Sequence, residues 1–558
     1  MALKHVRIVL FEVIFALLAV SPAYPQSTGS VALVNGTIYT VDDKNTIVQA
    51  LLIRDGRIAG LGTSAQIKAA AGAIPVVDLK GRAAFPGFID SHGHMLGLGQ
   101  SLQDVDLVGA ASYLEVIARV RDRARKLSSG QWILGRGWDQ NRWQDKSFPS
   151  HQKLSAAVPD NPVYLTRIDG HAGLANAMAM KIANLDKNTP DPDGGRILRD
   201  GSGNPTGVLI DNAQGLVRRA IPRLNANQLE HSLIAAVREC NRYGLTEVHD
   251  AGIDGFTLAA YKHLLTENKL NLRVYSMLAP GDTLDKYFSQ GPETALGNGF
   301  LTIRSIKLVA DGALGSRGAA LLQPYSDDPS NSGLILRKPE EMQAIINKAL
   351  QKGFQVCTHA IGDRTNRLVL DLYETGLKFH PKTDHRFRIE HAQVIAPSDF
   401  ARFKKLGVIP SMQQVHCTSD MYWAEKRLGP ERAKGAYAWR TLLDDGNIIA
   451  GGSDFPVESV NPLLGFYAAI TRRDAKGWPK DGWHPEQRMT RDEALRSFTR
   501  WAAYAAFEEK NKGSLETGKW GDITVFSRDI MKIDSAQVLD TQAVMTVVAG
   551  RIVYQKPD

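Results

Sequence analysis

From Phe85 onward, short apolar runs alternate with amphipathic stretches, which is the pattern of parallel strand–helix units. Eight of the apolar runs have the length of buried strands. They are Phe85–His92, Thr246–Asp250, Leu272–Leu278, Thr302–Val309, Gln355–His359, Phe387–His391, Val408–Ser411 and Asn447–Ser453. Eight such units predict an α/β fold in which the strands close into a (β/α)8 barrel, with the functional site at the carboxyl ends of the strands.

The two ends of the chain have a different pattern, with short alternating strands and tight turns. Asn-Gly at 35–36 and Asp-Gly at 55–56 lie between alternating apolar runs, which is a strong hairpin signal. The segment 547–553 repeats the apolar and Gly-Arg pattern of the second hairpin. We therefore expect residues 30–84 and 512–556 to pair in one small β domain.

The barrel is predicted to span residues 85–511. Its first two strands are too far apart in the chain for a single crossover helix. The gap therefore predicts an inserted subdomain at about residues 97–240, after the first barrel strand.

A leader precedes these domains. Lys4 and Arg7 come before the apolar stretch Ile8–Val20, and small residues around Ala23 follow it, which is the pattern of a secretory signal peptide. The apolar stretch is shorter than the about 20 residues that a membrane-spanning helix needs, and an uncleaved anchor is the alternative. We predict that residues 1–25 are a signal peptide and that the mature chain is exported to the periplasm or the exterior without stable membrane insertion.

Composition and charge exclude several classes of protein. The chain has 558 residues, of which 43% are hydrophobic and 23% charged, as in ordinary soluble globular proteins. Its net charge of +8 is spread thinly and forms no long basic run, so we expect no nucleic-acid partner. Three cysteines are too few for a disulfide framework. A small-molecule substrate is expected, and a homo-oligomer is left open.

Histidines follow three of the predicted strands. In FPGFIDSHGHM, His92 and His94 are two residues apart, so their imidazoles point the same way on an extended chain. His359 ends the strand in THAIGD, and His391 ends the strand in RFRIEHAQ. Each histidine alone is more typical of a core residue with satisfied hydrogen bonds. Four of the 14 histidines at the ends of three strands favour a metal site.

Three further ionisable residues lie on or directly after predicted strands. In IIAGGSDFP, alternation places Asp454 at the end of the last strand, where it acts either as a general acid/base or as a cap of the following loop. Lys307 lies in a β-rich run where a buried ammonium is costly, unless the side chain extends to solvent. Asp90 is predicted either to orient a ligating histidine or to cap the strand end.

The order HxH, Lys, His, His, Asp resembles the amidohydrolase superfamily, and the chain is more closely similar to its amidohydrolase family 3 branch, which includes N-substituted formamide deformylases. The phrases that carry the resemblance, over about residues 30–555, are FPGFIDSHGH, GRGWDQNRW, NPTGVLID, IKLVADGALGSRGA, THAIGDR, RIEHAQ and GGSDFPV. It implies a distorted (β/α)8 (TIM) barrel with a small β-sandwich built from both chain ends. It also implies that two divalent metal ions, with zinc as the expected metal, are held by His92, His94, a carboxylated Lys307, His359 and His391.

The resemblance further implies a hydrolase that acts on a C–N bond of an amide or cyclic amide. A hydroxide that bridges the two metals would attack the carbonyl, with Asp454 as general acid and base. The fold does not determine the reaction. The alternatives are an enzyme of the same fold acting on an ester or lactone, an isomerase, and a secreted binding protein without activity.

Substrate contacts are expected from the insertion and from the strand that carries the lysine. Trp138, Asp139, Trp143 and His171 fall in the insertion and are candidates for the pocket mouth, although tryptophans also pack in cores. Arg317 either binds a substrate carbonyl or carboxylate or forms a surface ion pair. We predict Trp138, His171 and Arg317 as substrate-binding residues.

Overall fold

The computed structural model of the chain describes residues 28–222 and 224–557. The predicted signal peptide, residues 1–25, lies outside the described residues, and its cleavage stays a prediction. Within the described part, no helix combines the length and apolar character that crossing a membrane requires.

Eight parallel strands form the predicted barrel, which is confirmed. In chain order they are β1 (Phe88–Gly93), β2 (Leu245–Ile253), β3 (Arg273–Leu278), β4 (Leu301–Val309), β5 (Gln355–Ala360), β6 (Arg388–His391), β7 (Ile409–Gln413) and β8 (Ala450–Gly452). Each pairs with the next in sequence order, and the short strand Glu293–Ala295 pairs antiparallel with β4. The strands are almost entirely buried because helices or loops cover their outer face and side chains fill the interior.

The barrel is nearly closed between β8 and β1. The amide of Asp454, just after β8, donates to the carbonyl of His92 (2.7 Å), and the amide of His94 donates to the carbonyl of Phe455 (2.8 Å). Gly452 allows this approach, because a Cβ at this position would lie 2.7 Å from the His92 nitrogen. The closure brings the ends of the first and last strands together.

Helices follow the barrel strands, as in other parallel α/β folds. Their bounds are Met95–Ser101, Ala226–Arg242, Gly255–Thr266, Asp282–Gln290, Leu296–Gly299, Pro339–Lys352, Asp363–Phe379, Phe400–Leu406, Gln414–Asp420, Ala424–Leu428, Pro430–Ala433, Trp439–Asp444, Pro462–Thr471, Arg491–Ser497 and Arg500–Ala505. Pro339–Lys352 shows how the sequence sets such bounds. It starts at a proline, has two glutamates in its first turn, and ends at Gly353 with φ of +79°.

Two sheets at the chain ends pack face to face. One contains, in spatial order, Arg57–Gly62, Ala50–Arg54, Val31–Val34 and Val76–Asp78. The other contains Arg551–Gln555, Ala543–Val548, Ile523–Phe526, Ala83–Pro86, Thr37–Tyr39 and Ile47–Val48. Leu33 and Ile53 from the first sheet share a buried cluster with Ile523 and Val547 from the second. The result is a small β-sandwich to which both chain ends contribute, with the helix Ser64–Ala71 against the first sheet.

The segment between β1 and β2 contains a separate six-stranded sheet. In spatial order its strands are Gly195–Arg199, Pro205–Asp211, Ala172–Ala175, Val163–Arg167, Ile133–Trp138 and Val105–Asp106. Its helices are Tyr113–Ala124, His151–Ala157, Ala177–Ile182 and Gly215–Arg218. The sheet has its own apolar clusters on both faces, so the inserted residues fold around cores distinct from the barrel interior.

A buried ion cluster joins the C-terminal segment to the barrel. The ammonium of Lys512 contacts Glu247 on β2 and lies 2.7 Å from Glu508. Burial, together with the negative charge of Glu247, raises the pKa of Glu508 to about 7. A carboxyl group whose pKa is raised by folding stabilises the fold at low pH, and this contribution is lost as the pH rises through the raised value.

We therefore expect Glu508→Gln to be more stable relative to the wild type at pH 8 than at pH 5, by about 1–3 kcal/mol. The amide keeps the shape and removes the cost of ionising a second carboxylate beside Glu247. Thermal midpoints of both proteins at the two pH values measure this, with the exposed Glu267→Gln as a control. A destabilisation of Glu508→Gln that is equal at both pH values would contradict the expectation.

Candidate metal centre and its cavity

The five predicted metal ligands lie at the carboxyl ends of four barrel strands, β1, β4, β5 and β6. The imidazole ring centroids of His92 and His94 are 5.5 Å apart, and those of His92 and His391 are 4.9 Å apart. The ring of His359 is 4.5 Å from that of His391. The Nζ atom of Lys307 lies 2.8 Å from Nε2 of His92. The structure thus brings all five side chains together.

Asp454 joins this cluster from the end of β8. Its Oδ1 atom lies 3.0 Å from Nε2 of His94 and 3.5 Å from Nε2 of His92. Its backbone φ is +60°, a left-handed conformation that turns the chain directly after the strand. Burial would raise the pKa of Asp454, but hydrogen bonds from His416 and His94 outweigh it and hold this pKa well below its usual range. The carboxyl group is therefore ionised at neutral pH.

The donor set fits a bound metal ion. Burial lowers the pKa of His92 to about 4 and those of His359 and His391 well below their usual range, so the rings are neutral. Nε2 of His359 is buried without a hydrogen-bond partner among the described residues. Two triads, His92–His94–Asp454 and His391–His416–Asp454, each have ligand atoms within 4.8 Å of one another. Neutral imidazole nitrogens with a carboxylate oxygen are ligands typical of zinc.

Glu390 orients His92, a role that sequence reasoning missed. Its Oε2 lies 2.5 Å from Nδ1 of His92, and its Oε1 lies 2.7 Å from Nε of the buried Arg388. Nε2 of His92 is thereby directed toward Lys307 and Asp454. Strand alternation in RFRIEHAQ predicted Glu390 on the face opposite His391. Both reach the site because His391 has a φ of +73°, which breaks the alternation at the end of β6.

Of the two roles predicted for Asp90, the structure shows the capping of the strand end. It accepts hydrogen bonds from the amides of His92 (3.0 Å) and Ser453 (3.1 Å) and from the hydroxyl of Ser453 (2.6 Å). Burial raises its pKa to about 7. Asp90 therefore ties β1 to the segment after β8, and Glu390 rather than Asp90 contacts the imidazole.

His416 is a second site residue that sequence reasoning missed. It lies on the helix Gln414–Asp420, after β7, with Nε2 at 3.4 Å from Oδ2 of Asp454 and Nδ1 at 3.4 Å from Oε1 of Glu458. These two carboxylates outweigh the effect of burial and raise the pKa of His416 to about 10. The only signal in the sequence was its position shortly after an apolar strand, several residues beyond the strand end.

A cavity of about 1510 Å³ opens above the cluster. His171 from the insertion lines it, and its ring centroid is 5.4 Å from that of His359. Nδ1 of His171 is 2.6 Å from Oδ1 of Asp211, whose charge outweighs burial and raises the pKa of the imidazole. Asp139 also lines the cavity.

The two tryptophans predicted near the pocket mouth lie in the core of the insertion instead. Trp138 is 1% exposed and donates from Nε1 to the carbonyl of Leu165 (2.9 Å). Trp143 donates in the same way to Ala110 (3.0 Å). Alternation would put Trp138 on the face of Arg136, but the strand register shifts between them at a bulge. The bulge turns the indole into the core, so substrate binding by Trp138 is not supported.

Arg317 forms the ion pair that was the alternative to substrate binding. Its guanidinium lies 3.1 Å from Asp327, in the loop after β4, and it is absent from the residues that line the cavity. Its φ of +60° places it in a turn that directs the side chain to this partner. The structure therefore does not bring Arg317 to the candidate site.

We expect Glu390→Gln to lower zinc affinity by about 10–100-fold, because the amide no longer compensates Arg388 or fixes the His92 ring. A competitive titration with a fluorescent chelator measures this. The exposed Glu431→Gln, with the same change of charge, is the control. Unchanged zinc affinity in a folded Glu390→Gln protein would show that Glu390 does not position His92.

A parallel barrel with imidazoles and a carboxylate at the ends of its strands is the architecture of barrel hydrolases that use a metal ion. The chain belongs to the amidohydrolase family, whose model matches residues 75–554. The resemblance predicted from the sequence motifs is therefore confirmed.

Individual relatives cover nearly the whole chain. YtcJ of Bacillus subtilis (strain 168) is 34% identical over 528 residues, which are 93% of this chain and 98% of the relative. The N-substituted formamide deformylase of Arthrobacter pascens is 27% identical over 547 residues, 94% of this chain and 98% of the relative. The crystal structure of an uncharacterized metal-dependent hydrolase from Pyrococcus horikoshii OT3 is similar with a TM-score of 0.75 and 32% identity, over 91% of this chain and 99% of that one.

Proposed function

We propose that the chain is a metal-dependent hydrolase that cleaves a C–N bond of a small amide or cyclic amide. The observation that carries the proposal is the convergence of His92, His94, His359 and His391 with Asp454 at the base of one cavity. Support for the bond type comes from membership of the amidohydrolase family and from the name of the deformylase relative.

The four histidines and Lys307 would hold two divalent ions, with zinc as the expected metal. Bound zinc supplies Lewis-acid polarisation of a carbonyl and lowers the pKa of water. Glu390 keeps His92 oriented with Nε2 toward the cluster. Gln413 lies 2.7 Å from Nδ1 of His391 and orients that ring in the same way.

Lys307 is suited to carboxylation. Burial lowers the pKa of its amine, although the charges of Glu390 and Asp454 oppose the shift. A neutral amine attacks carbon dioxide through its nitrogen lone pair and releases one proton, which gives an anionic carbamate. The carbamate would replace an ammonium beside His92 with an oxygen donor. An intact mass of the native protein that exceeds the mass of the same unmodified polypeptide by one CO2 would support this assignment.

Asp454 is the proposed proton carrier. Its ionised carboxyl group accepts a proton from the attacking water and then donates it to the leaving nitrogen. His416 holds the carboxylate in place from Oδ2. His171, fixed by Asp211, presents the rest of its ring to the cavity and is suited to contact the substrate carbonyl.

The test is a panel of matched amides, cyclic amides, esters and lactones, which includes N-substituted formamides. We expect zinc-loaded protein to hydrolyse members of the amide group, with activity lost on chelation and restored by zinc. Turnover of esters or lactones alone would contradict the proposed C–N bond and support an enzyme of the same fold that acts on an ester or lactone. Binding without turnover of any member would instead support a protein that has no catalytic activity.

A further inference from the structure

Among the residues that the structure describes, four arginines line the cavity, and two of them lack a carboxylate partner. Arg167 lies 2.6 Å from Asp139, and Arg142 lies 3.8 Å from the same carboxyl group. In the part of the chain that the structure describes, no carboxylate oxygen lies within 4.0 Å of a guanidinium nitrogen of Arg136 or Arg218, so neither forms an ion pair. The two cations therefore have no close ion-pair partner, although Asp454, Asp169 and Asp104 act on the charge of Arg136 from longer distances.

Arg136 is held in place by backbone carbonyls rather than by charges. It lies on the strand Ile133–Trp138, directly before the bulge at Gly137. Its Nε donates to the carbonyl of Pro456 (3.1 Å), and its Nη2 donates to the carbonyl of Ile168 (2.7 Å). These two bonds orient the guanidinium through uncharged partners, and Nη1 makes no hydrogen bond to a described residue.

Arg136 is close to the reacting groups. Pro456, its first partner, is two residues after Asp454. Burial lowers the pKa of Arg136 to about 10, and the charge of Asp454 opposes this more than any other, so the guanidinium is cationic at neutral pH. Asp454 forms no ion pair with Arg136; its Oδ1 lies 3.0 Å from Nε2 of His94, and its Oδ2 lies 3.4 Å from Nε2 of His416.

Arg218 adds a second cation at the more exposed part of the cavity wall. It ends the short helix Gly215–Arg218, and its guanidinium lies 5.8 Å from the ring centroid of Tyr164. Its positive charge lowers the pKa of Arg136, because the two cations repel each other. Two unpaired guanidinium groups on one cavity repel each other, and a bound anion relieves the repulsion.

We propose that Arg136, assisted by Arg218, binds a carboxylate of the substrate, so that the preferred substrates are amides that carry a carboxylate beside the scissile bond. A guanidinium with free N–H groups matches the two oxygens of a carboxylate. This inference rests on the proposed function and assigns the two parts of the fold separate tasks. The barrel supplies the reacting groups, and the insertion selects the anionic substrate.

The test compares ligands that differ only in the carboxylate. N-acetylphenylalanine is paired with N-acetylphenethylamine, and N-acetylleucine with N-acetylisopentylamine. Calorimetric titration uses the zinc-loaded Asp454→Asn protein, so that the ligands stay intact. We expect the carboxylate member of at least one pair to bind about 10–100-fold more tightly.

Variants of the two arginines then locate the preference. We expect Arg136→Gln to reduce the affinity ratio to near one, Arg136→Lys to an intermediate value, and Arg218→Gln to reduce it several-fold. Arg219→Gln is the matched control, because Arg219 is exposed, adjacent to Arg218 and outside the cavity lining. If Arg136→Gln unfolds early in a thermal scan, Arg218→Gln decides, since Arg218 is an exposed residue whose guanidinium lies 5.8 Å from the ring of Tyr164.

Equal affinity within both pairs, weaker binding of the carboxylate members, or no binding of them overturns the proposal. An affinity ratio that both arginine variants leave unchanged overturns it as well. Wild-type turnover separates this result from the proposed function. Carboxylates that bind through Arg136 while no amide is hydrolysed leave the subsite standing and refute the reaction. Hydrolysis of amides without any preference for a carboxylate would refute the subsite and leave the proposed reaction standing.

Discussion

Asp454→Asn is expected to lower kcat by about 10²–10⁴-fold, the usual contribution of a general acid/base. The asparagine keeps the shape and one oxygen toward His94 and His416, but it no longer accepts a proton. The low pKa of Asp454 in the wild type means that its base form is present across the neutral range. Steady-state kinetics on the best amide of the panel measure the effect, and elemental analysis of the same sample should still show about two metal ions per chain.

Metal content and thermal unfolding separate the outcomes for Asp454→Asn. A folded variant with two metals and wild-type turnover would refute the role of Asp454 as proton carrier. Loss of metal together with activity would make Asp454 chiefly a ligand, in line with its 3.0 Å distance to Nε2 of His94. The proton carrier would then be sought at His171, whose ring lies next to that of His359.

His391→Ala is expected to lose both metal and turnover to background. His391 lies between His92 and His359, with ring centroids at 4.9 and 4.5 Å, so its removal opens the centre of the donor set. Elemental analysis should fall from about two ions per chain in the wild type. His231→Ala, on an exposed position of the helix Ala226–Arg242, is the matched control and should retain both ions.

The outcome that would contradict a metal centre here is a folded His391→Ala protein with the full metal content and unchanged activity. A metal-free wild-type preparation with full activity would contradict it equally. Loss of activity with retained metal would instead place His391 in substrate binding, since it lines the cavity.

The barrel strands were predictable because each predicted run is rich in apolar residues, has the length of a strand and is buried on both faces. The clustering of His92, His359, His391 and Asp454 followed from the same pattern. Parallel strands in one barrel end on the same side, so polar residues directly after different apolar runs must meet. No long-range information was needed for these residues, since the strand ends alone decide their position.

Other site residues depended on local breaks in regular structure. Glu390 reaches the site beside His391 because of a positive φ that alternation does not predict. Trp138 turns into the core, and Arg136 to the cavity, at a bulge whose only trace in the sequence is Gly137. His416 lies beyond its strand on a short helix, where no hydrophobic periodicity in the sequence indicates which side chain faces the site.

By itself, the sequence determined the barrel, its family and the residues at the strand ends, because hydrophobic period and strand direction are local properties of the chain. The tertiary structure alone decided which charges are paired. Arg317 meets Asp327, Arg388 meets Glu390, and Arg136 meets only carbonyl groups. Ion pairing depends on distances of a few ångströms between segments far apart in the chain, and in a buried site those distances set the pKa and the free charge of each group.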